Sequence, residues 1–422
     1  MDLLKQLKKK PYKPDFPFPV TEYAKRVKKA QRAMARRGID LHLISLTPNL
    51  GYLTGYDTSM PSGYTIGMLP AKGPVGLHCS ELEGCCALQS STIKNIELYR
   101  WYEAQDTGSG LGKVLRKRGY DGKRIGIEMR NPETFTIGAF DVGSFLTLQK
   151  MLPNAEFVDT TDLIMELRLI KIAQEIAYMR EAGKLTMRGL FASLAAVGEG
   201  KFDNDIIAAG HHAMIASSSE LMSADPMIMS GERTGWMPHV PYKRHAIKRG
   251  DSIYLEYTGT YHRYNAPAMR SAAVGNVTKE VQRLTYISLE TVKLILEHAR
   301  PGRTGHDVAR DAGKILRKHK DIYFHGALGY SIGMSNQPTW GEAPCTSPRA
   351  LSANSRRACV SIARSASSCR APPASAFPRA LRSRARAAIF WVLAWSANSR
   401  SAKRRSQEFT RRAALRLLGD LI

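Results

Sequence analysis

The composition of the chain changes abruptly just after Glu342, and this break limits what the last part of the chain can fold into. Up to that point, apolar runs alternate with acidic and turn residues, as in a folded enzyme. From residue 346 to 422 the chain is mostly Ala, Arg and Ser, with 17, 15 and 13 of the 77 positions. Because a segment with few apolar residues and a high net charge buries too little surface to offset its chain entropy, we expect this tail to be disordered.

The tail also carries a large share of the positive charge. The whole chain has 62 basic and 37 acidic residues, a formal net charge of +25. The tail holds 16 of the basic residues and only two acidic ones, Glu408 and Asp420, so the first 345 residues have a net charge of +11. Their basic residues are dispersed among acidic ones, apart from a Lys-rich segment at residues 5–10. This pattern favours a solvated arm over a polyanion-binding segment, and we expect no specific nucleic-acid partner.

The cysteines indicate a reducing compartment. The chain has six Cys residues and no C-x-x-C pair. No secretory signal opens the sequence, so a cytoplasmic location is expected. The longest apolar run of the tail, Ala387–Trp395, is too short to span a bilayer, and no membrane partner is expected.

The first 345 residues exceed one ordinary domain, and their patterns predict two domains. Over residues 1–160, predicted strands such as Leu41–Ile44 alternate with predicted helices, which is typical of an α/β domain. Residues 161–345 combine long amphipathic helices with short antiparallel strands, which indicates an α+β domain. Thr21 and Thr278 are the residues expected to cap two of the helices.

Polar residues gather near the ends of predicted strands in the second domain. Glu256 interrupts an apolar strand, where a carboxylate is costly unless it is paired or functional. A short turn is expected to bring the next strand, with Tyr264, Asn265 and Arg270, beside it. Arg270 is a candidate to pair with an acid or to clamp a substrate carboxylate. A buried structural ion pair at Glu256 stays open as the alternative.

Two other segments supply histidine side chains. His239 follows Met237 and Pro238, and His325 opens a glycine-rich segment that also contains Tyr330. Glycines permit close approach of the backbone to a ligand. A lone His beside a proline and a Tyr on a strand are also common structural residues, so a structural role stays open for each.

These segments together resemble the creatinase–prolidase superfamily, whose catalytic domain has the pita-bread fold. The resemblance covers residues 20–344 and is strongest to the ectoine hydrolase branch, whose members open a cyclic amidine ring. It implies a creatinase-like α/β N-terminal domain, 1–160, and an incomplete α+β pita-bread domain, 161–345. The motifs that carry the resemblance are the following stretches: PNLGYLTGYD (48–57), RLIKIAQEIAYMREAG (168–183), MPH (237–239), GDSIYLEYTGTYHRYNAPAMR (250–270), HGALGYSIG (325–333) and WGE (340–342).

The resemblance also implies a site without metal. Metal-dependent members have Asp residues at the positions that match Glu256 and Pro267, and a His at the position that matches Tyr330. Proline has no ligand atom, and a phenol is a poor substitute for an imidazole. No cofactor is therefore expected. Two alternatives stay open: a metallopeptidase that acts on Xaa-Pro bonds, and a non-catalytic pita-bread binding module.

Residue roles follow from the same resemblance. Glu256 matches the attacking glutamate of the ectoine hydrolase branch, and His239 matches the acid–base histidine of creatinase. The substrate is expected to be a small molecule: a cyclic amidine, an amide or an Xaa-Pro dipeptide. The residues implied in substrate binding are the following: Tyr264, Asn265, Arg270, His325, Tyr330, Glu342 and Tyr56. A homodimer is also implied, with Asn49, Tyr52 and Tyr56 near the partner subunit's site.

The family pattern stops after Glu342. Members of the superfamily continue into an acid-containing EPGM-type turn and closing strands, which are not recognisable here. Residues 389–403 read IFWVLAWSANSRSAK, and some codon choices would let a neighbouring frame encode LLGLGVERELAVRK, which suits such an end. A frameshift near Cys345 is the simplest explanation. Missing strands expose a sheet edge and lose burial, so an impaired enzyme is expected.

Overall fold

The structure is a computed structural model that divides into two compact units. The first unit comprises Met1–Ile170 and Met334–Pro344, and the second comprises Lys171–Gly333 and the residues from Cys345 onward. His239 and His325 lie outside the described residues. The structure describes the following residues: 9, 14–60, 64–100, 107–129, 140–235, 240–276, 278–299, 303, 305–322, 328–342, 361–362 and 392–395.

The first unit is built on a mixed sheet of six strands in the order β4-β3-β2-β1-β5-β6. Strand β2 is antiparallel to both of its neighbours, and the other pairs are parallel. The elements in chain order are the following: α1 (Val20–Arg36), β1 (Leu41–Ile44), α2 (Thr47–Thr54), β2 (Thr65–Pro70), β3 (Gly76–Ser80), α3 (Glu81–Ser90), β4 (Asn95–Tyr99), α4 (Thr107–Lys117), β5 (Arg124–Ile127), α5 (Val142–Met151), β6 (Glu156–Asp159) and α6 (Asp162–Arg168).

The central strands of this sheet are buried on both faces. All four residues of β1 are buried, and Leu43 packs in one cluster with Ile125, Leu111 and Leu148. A strand that is buried along its whole length suits a sheet that is covered by helices on both sides. The α/β class predicted for the N-terminal domain is confirmed.

One local prediction in this unit is wrong. Helix α1 begins at Val20, one residue before Thr21, and Pro19 occupies the cap position. Thr21 therefore lies inside the helix, because Pro19 already sets the extended backbone that precedes the first turn. In the second unit, by contrast, Thr278 caps its helix as predicted, and its hydroxyl accepts a hydrogen bond from the Val281 N–H at 3.2 Å.

The second unit has a sheet in the order β14-β11-β8-β7. Strand β8 is antiparallel to β7 and β11, and β14 is parallel to β11. The elements in chain order are the following: α7 (Ala173–Ala196), α8 (Asp203–Ala216), β7 (Met227–Ser230), a 3-10 helix (Gly231–Gly235), β8 (Ser252–Tyr257), β9 (Thr260–Tyr261), β10 (Tyr264–Asn265), β11 (Ala268–Val274), α9 (Lys279–His298), α10 (Gly305–Lys318), β12 (Tyr330–Ser331), β13 (Ser361–Ile362) and β14 (Val392–Trp395).

Helices α7 and α8 cover one face of this sheet. Leu190 of α7 and Ile206 of α8 pack in one cluster with Ile253, Leu255 and Tyr257 of β8. Because successive side chains of a strand point to opposite faces, these three residues assign the odd-numbered positions of β8 to the helix side. The even-numbered positions point to the other face. Helices layered on the antiparallel strands β7, β8 and β11 confirm the α+β class.

The tail contributes two short strands to the described part of the chain. Strand β14 pairs with β11 from Ser271 to Val274, along the edge that the truncated domain was expected to leave open. Strand β13 pairs with β12. The expected disorder of the remaining tail residues stays a prediction.

Candidate active site

Glu256 lies in the middle of the sheet, on the face away from the helices. It stands opposite Met269 of β11 on one side and Met227 of β7 on the other. Its side chain is fully buried, at 0% exposure. A carboxylate between two thioether side chains is in largely apolar surroundings, where charge is costly unless hydrogen bonds or a reaction require it.

The hydroxyl of Tyr254 donates a hydrogen bond to Glu256 Oε2. The two residues are two positions apart on β8, so their side chains leave the same face. Tyr254 stands opposite Met229 of β7 and Ser271 of β11. Sequence reasoning missed Tyr254, although its spacing of two residues from Glu256 was a readable signal.

Tyr264 is held by the start of helix α7. Its hydroxyl donates to Glu175 Oε1 at 2.8 Å, and both residues are buried. The other oxygen of Glu175 accepts the Ile172 N–H at 2.8 Å, as a carboxylate in the first turn of a helix often does. The structure thus gives the Tyr264 hydroxyl an anchor that the sequence pattern did not reveal.

Asn265 joins two segments that the sequence analysis placed in one site. Its backbone N–H donates to the Gly333 carbonyl at 3.0 Å, which brings β10 next to the segment that contains Tyr330. Its amide Nδ2 donates to the Arg263 and Gly333 carbonyls, at 2.9 and 3.4 Å. Its Oδ1 accepts from Thr260 at 3.0 Å. These bonds use the amide inside the protein, as a brace between β10 and residues 330–333.

Arg270 is not brought together with Glu256. It stands opposite Leu255 in the register of β8 and β11, so its side chain leaves the sheet on the helix side. There its Nη2 lies 3.8 Å from the sulfur of Met187 on α7, and its Nη1 donates to the Met269 carbonyl at 2.7 Å. Burial lowers the pKa of Arg270 to about 10.

Residues on either side of His239 are tied to one buried carboxylate, by a side chain before it and by backbone N–H groups after it. Asp203, at the start of α8, accepts hydrogen bonds from Arg233 Nη1 at 3.3 Å, from the Lys243 N–H at 3.2 Å and from the His245 N–H at 3.0 Å. A carboxylate at a helix start is well suited to such contacts. It fixes the described residues that flank positions 236–239.

Three of the remaining predicted residues belong to the first unit and make contacts within it. The Tyr56 hydroxyl donates to Glu83 Oε2 at 2.5 Å, and burial raises its pKa well above the usual range. The Tyr52 hydroxyl lies 3.4 Å from the Leu167 carbonyl. Asn49 is fully buried, and its Nδ2 donates to Glu128 Oε1 at 2.6 Å. Contact of these residues with a partner subunit stays a prediction.

Glu342 is part of a buried network centred on Arg168. The Arg168 guanidinium donates to Glu342 Oε1 at 3.0 Å, to Asn49 Oδ1 at 2.6 Å and to the Met334 carbonyl. Both members of the ion pair are nearly inaccessible, with 5% and 3% of their side chains exposed. Sequence reasoning did not single out Arg168, because its partner is 174 positions away.

The same network continues to a pair of buried titratable groups, Glu128 and His42. His42 Nε2 lies 3.8 Å from Glu128 Oε1. Burial lowers the pKa of His42 to about 3, and Arg37 adds to this shift. Burial raises the pKa of Glu128 to about 7, against the hydrogen bonds that it accepts from Leu46, Asn49 and Ser45.

These two shifts predict opposite dependences of stability on pH. Unfolded His42 binds a proton below about pH 6.5 that the folded state excludes, so its contribution to stability rises with pH from about 3 to 6.5. Folded Glu128 keeps a proton that the unfolded state loses above about pH 4.5, so its contribution falls from about 4.5 to 7. Between pH 4.5 and 6.5 the two contributions nearly cancel.

Replacing His42 with Gln removes the contribution that rises with pH, so that the falling contribution of Glu128 remains. Relative to the unmodified protein, the free energy of unfolding of His42→Gln should decrease by about 3 kcal/mol from pH 4.5 to 6.5, since one pKa unit corresponds to about 1.4 kcal/mol. Urea unfolding at several pH values measures this difference. Parallel curves for the two proteins would contradict the assignment.

Two family profiles match consecutive parts of the chain. Residues 26–170 match the creatinase/prolidase N-terminal domain, and residues 177–356 match metallopeptidase family M24. These matches agree with the α/β unit and the α+β unit of the structure. The chain belongs to the creatinase–prolidase superfamily of hydrolases, as the motifs predicted, and its second domain has the pita-bread fold.

Individual relatives include an ectoine hydrolase and Xaa-Pro dipeptidases. Ectoine hydrolase of Halomonas elongata is 29% identical over 77% of this chain and 84% of its own length. The Xaa-Pro dipeptidase of Pyrococcus horikoshii is 26% identical over 73% of this chain and 81% of its own. The crystal structure of the prolidase from Pyrococcus horikoshii OT3 superposes with a TM-score of 0.63 and 25% identity, over 76% of this chain and 87% of that one.

The side chains present do not fit the metal centre that the name of family M24 implies. Glu256 supplies one carboxylate, but Pro267 has no ligand atom and Tyr330 offers only a phenol. Within the described residues, no three His, Cys, Asp or Glu side chains gather closely enough to hold a metal ion. In that same part of the chain, no helix has the length and apolarity needed to cross a membrane.

Proposed function

We propose that this protein is a metal-independent hydrolase of carbon–nitrogen bonds, with Glu256 as the nucleophile and His239 as the acid–base residue. The observation that carries the proposal is the fully buried Glu256 carboxylate, which lies between two methionines and accepts the Tyr254 hydroxyl. Holding a charged group in apolar surroundings costs folding energy. Such a cost is typical of a group that acts in catalysis.

The proposed substrate class is a cyclic amidine or amide, by similarity to ectoine hydrolase. A carboxylate in a water-poor site can add to the electrophilic carbon of such a ring. The departing nitrogen then needs a proton, which is the role proposed for His239. Water completes hydrolysis of the intermediate. Tyr264, Asn265 and Tyr330 are proposed to surround the substrate, since Asn265 joins their two segments.

An Xaa-Pro dipeptidase is the second candidate, because relatives of this activity are present. Pro267 and Tyr330 argue against it, since a dinuclear peptidase centre needs donor side chains at both positions. The frameshift that the sequence predicts near Cys345 is also part of the proposal. If residues after Cys345 are read out of frame, a frame-restored chain should be more active than this one.

A substrate panel with and without metal separates the candidates. After treatment with EDTA, the full chain and its frame-restored version should hydrolyse ectoine or another cyclic amidine, with no gain from added Mn²⁺. Turnover is measured by chromatography, and bound metal by mass spectrometry. Cleavage of Xaa-Pro dipeptides that requires Mn²⁺, with stoichiometric metal bound, would refute the proposal.

A further inference from the structure

We infer that Tyr254 is a positioning residue for Glu256, which decides how the carboxylate is presented to the substrate. The inference rests on the proposed function. Tyr254 is buried, with 3% of its surface exposed, and its hydroxyl donates to Glu256 Oε2 from two positions earlier on the same strand. The contact is therefore built into β8 and does not depend on the packing of a loop.

The surroundings make this hydrogen bond consequential. The row that contains Glu256 is Met227–Glu256–Met269, and the next row is Met229–Tyr254–Ser271. In apolar surroundings, a hydrogen bond to a carboxylate is stronger than in water. Tyr254 thus fixes the orientation of the Glu256 side chain.

The geometry also distinguishes the two oxygens of the carboxylate. Oε2 accepts a hydrogen bond from the Tyr254 hydroxyl, and an oxygen that accepts a hydrogen bond is the poorer nucleophile. Attack is therefore assigned to Oε1. Its lone pair forms the bond to the substrate carbon, and the electron pair of the carbon–nitrogen bond passes to the nitrogen, which takes a proton. Tyr254 keeps its own proton throughout.

The test is Tyr254→Phe in the full chain, with Tyr257→Phe as the matched control. Tyr257 is a buried residue of the same strand, but its hydroxyl lies 2.6 Å from Ser193 Oγ on the helix side. Both variants lose one buried hydroxyl, so a similar fall in melting temperature is expected for both. Only Tyr254→Phe should lower kcat, by about ten- to a hundredfold with KM little changed, as removal of one hydrogen bond that positions the nucleophile predicts.

The division of the effect between kcat and KM separates positioning from general destabilisation. In Tyr254→Phe the loss should fall on kcat, whereas in Tyr257→Phe both constants should stay within a few-fold of the original. Unchanged kcat in Tyr254→Phe, or equal losses in both variants, would overturn the inference.

Infrared difference spectroscopy tests the contact without turnover. Subtracting the spectrum of Glu256→Gln from that of the unmodified chain identifies the carboxylate stretch of Glu256. This band should move in Tyr254→Phe and not in Tyr257→Phe. A moved band in a protein inactive on every substrate would reject the proposed function alone, whereas an unmoved band would reject the positioning role.

Discussion

Glu256→Gln is expected to lower kcat by at least about a thousandfold, as losses of a nucleophile generally do. The amide has nearly the same shape as the carboxylate, but it can neither add to the substrate carbon nor take a proton from water. The fold should persist, because a neutral group at a fully buried position costs less than a charged one. The measurements are steady-state turnover on the substrate that the panel identifies and a thermal melt by circular dichroism.

Glu220→Gln is the matched control in the same unit. Glu220 accepts hydrogen bonds from the His262 and Arg263 N–H groups, at 2.9 and 3.1 Å, so it holds the turn between β9 and β10. Its replacement perturbs the hairpin beside the site and leaves the reacting group in place. We expect a fall in melting temperature with kcat within a few-fold of the original. Full turnover by Glu256→Gln would show that Glu256 is not the nucleophile.

The second large effect is expected for Arg168→Leu, which should lower the free energy of unfolding by about 3–5 kcal/mol. Removing the guanidinium leaves the Glu342 carboxylate buried without its cation, and it also removes the donors to Asn49 Oδ1 and the Met334 carbonyl. An uncompensated buried charge is among the costliest changes in a protein. Urea unfolding followed by circular dichroism measures the loss.

Two further variants show whether the ion pair is the cause. Arg118→Ala breaks an ion pair with Glu97 whose side chains are 34% and 46% exposed, and it should cost less than about 1 kcal/mol. The double variant Arg168→Met with Glu342→Met removes both charges and should recover much of the loss. If Arg168→Leu costs no more than Arg118→Ala, the network does not stabilise the first unit.

The fold class and the central carboxylate could be predicted because their signals are local. An interrupted apolar strand identified Glu256, the alternation of strands and helices predicted the α/β class of the first domain, and long helices with short antiparallel strands predicted the α+β class of the second. The position of Arg270 could not be derived in this way, because the side of the sheet that it faces depends on which residue of β8 stands opposite. A shift of one residue in the register moves a side chain to the other face of the sheet. The observed register pairs Arg270 with Leu255.

Contacts between residues that are far apart in the sequence could not be predicted either. Glu342 carried a motif in the sequence, but its contact with Arg168 joins residues 174 positions apart, and no local pattern encodes such a pairing. Tyr254 and Glu175 were missed for a different reason. A Tyr on a strand and a Glu at a helix start are ordinary residues. The spacing of Tyr254 from Glu256 indicates that they share a face, and the structure adds the hydrogen bonds to Glu256 and Tyr264.

The first unit is discontinuous, since residues Met334–Pro344 return to it after the whole second unit has been traversed. During synthesis, Arg168 therefore emerges well before the Glu342 carboxylate and the Met334 carbonyl to which it binds. At ribosomal speeds of about 5–20 residues per second, this interval is on the order of ten to thirty seconds. The first unit therefore cannot complete its buried ion pair until the whole second unit has been synthesised.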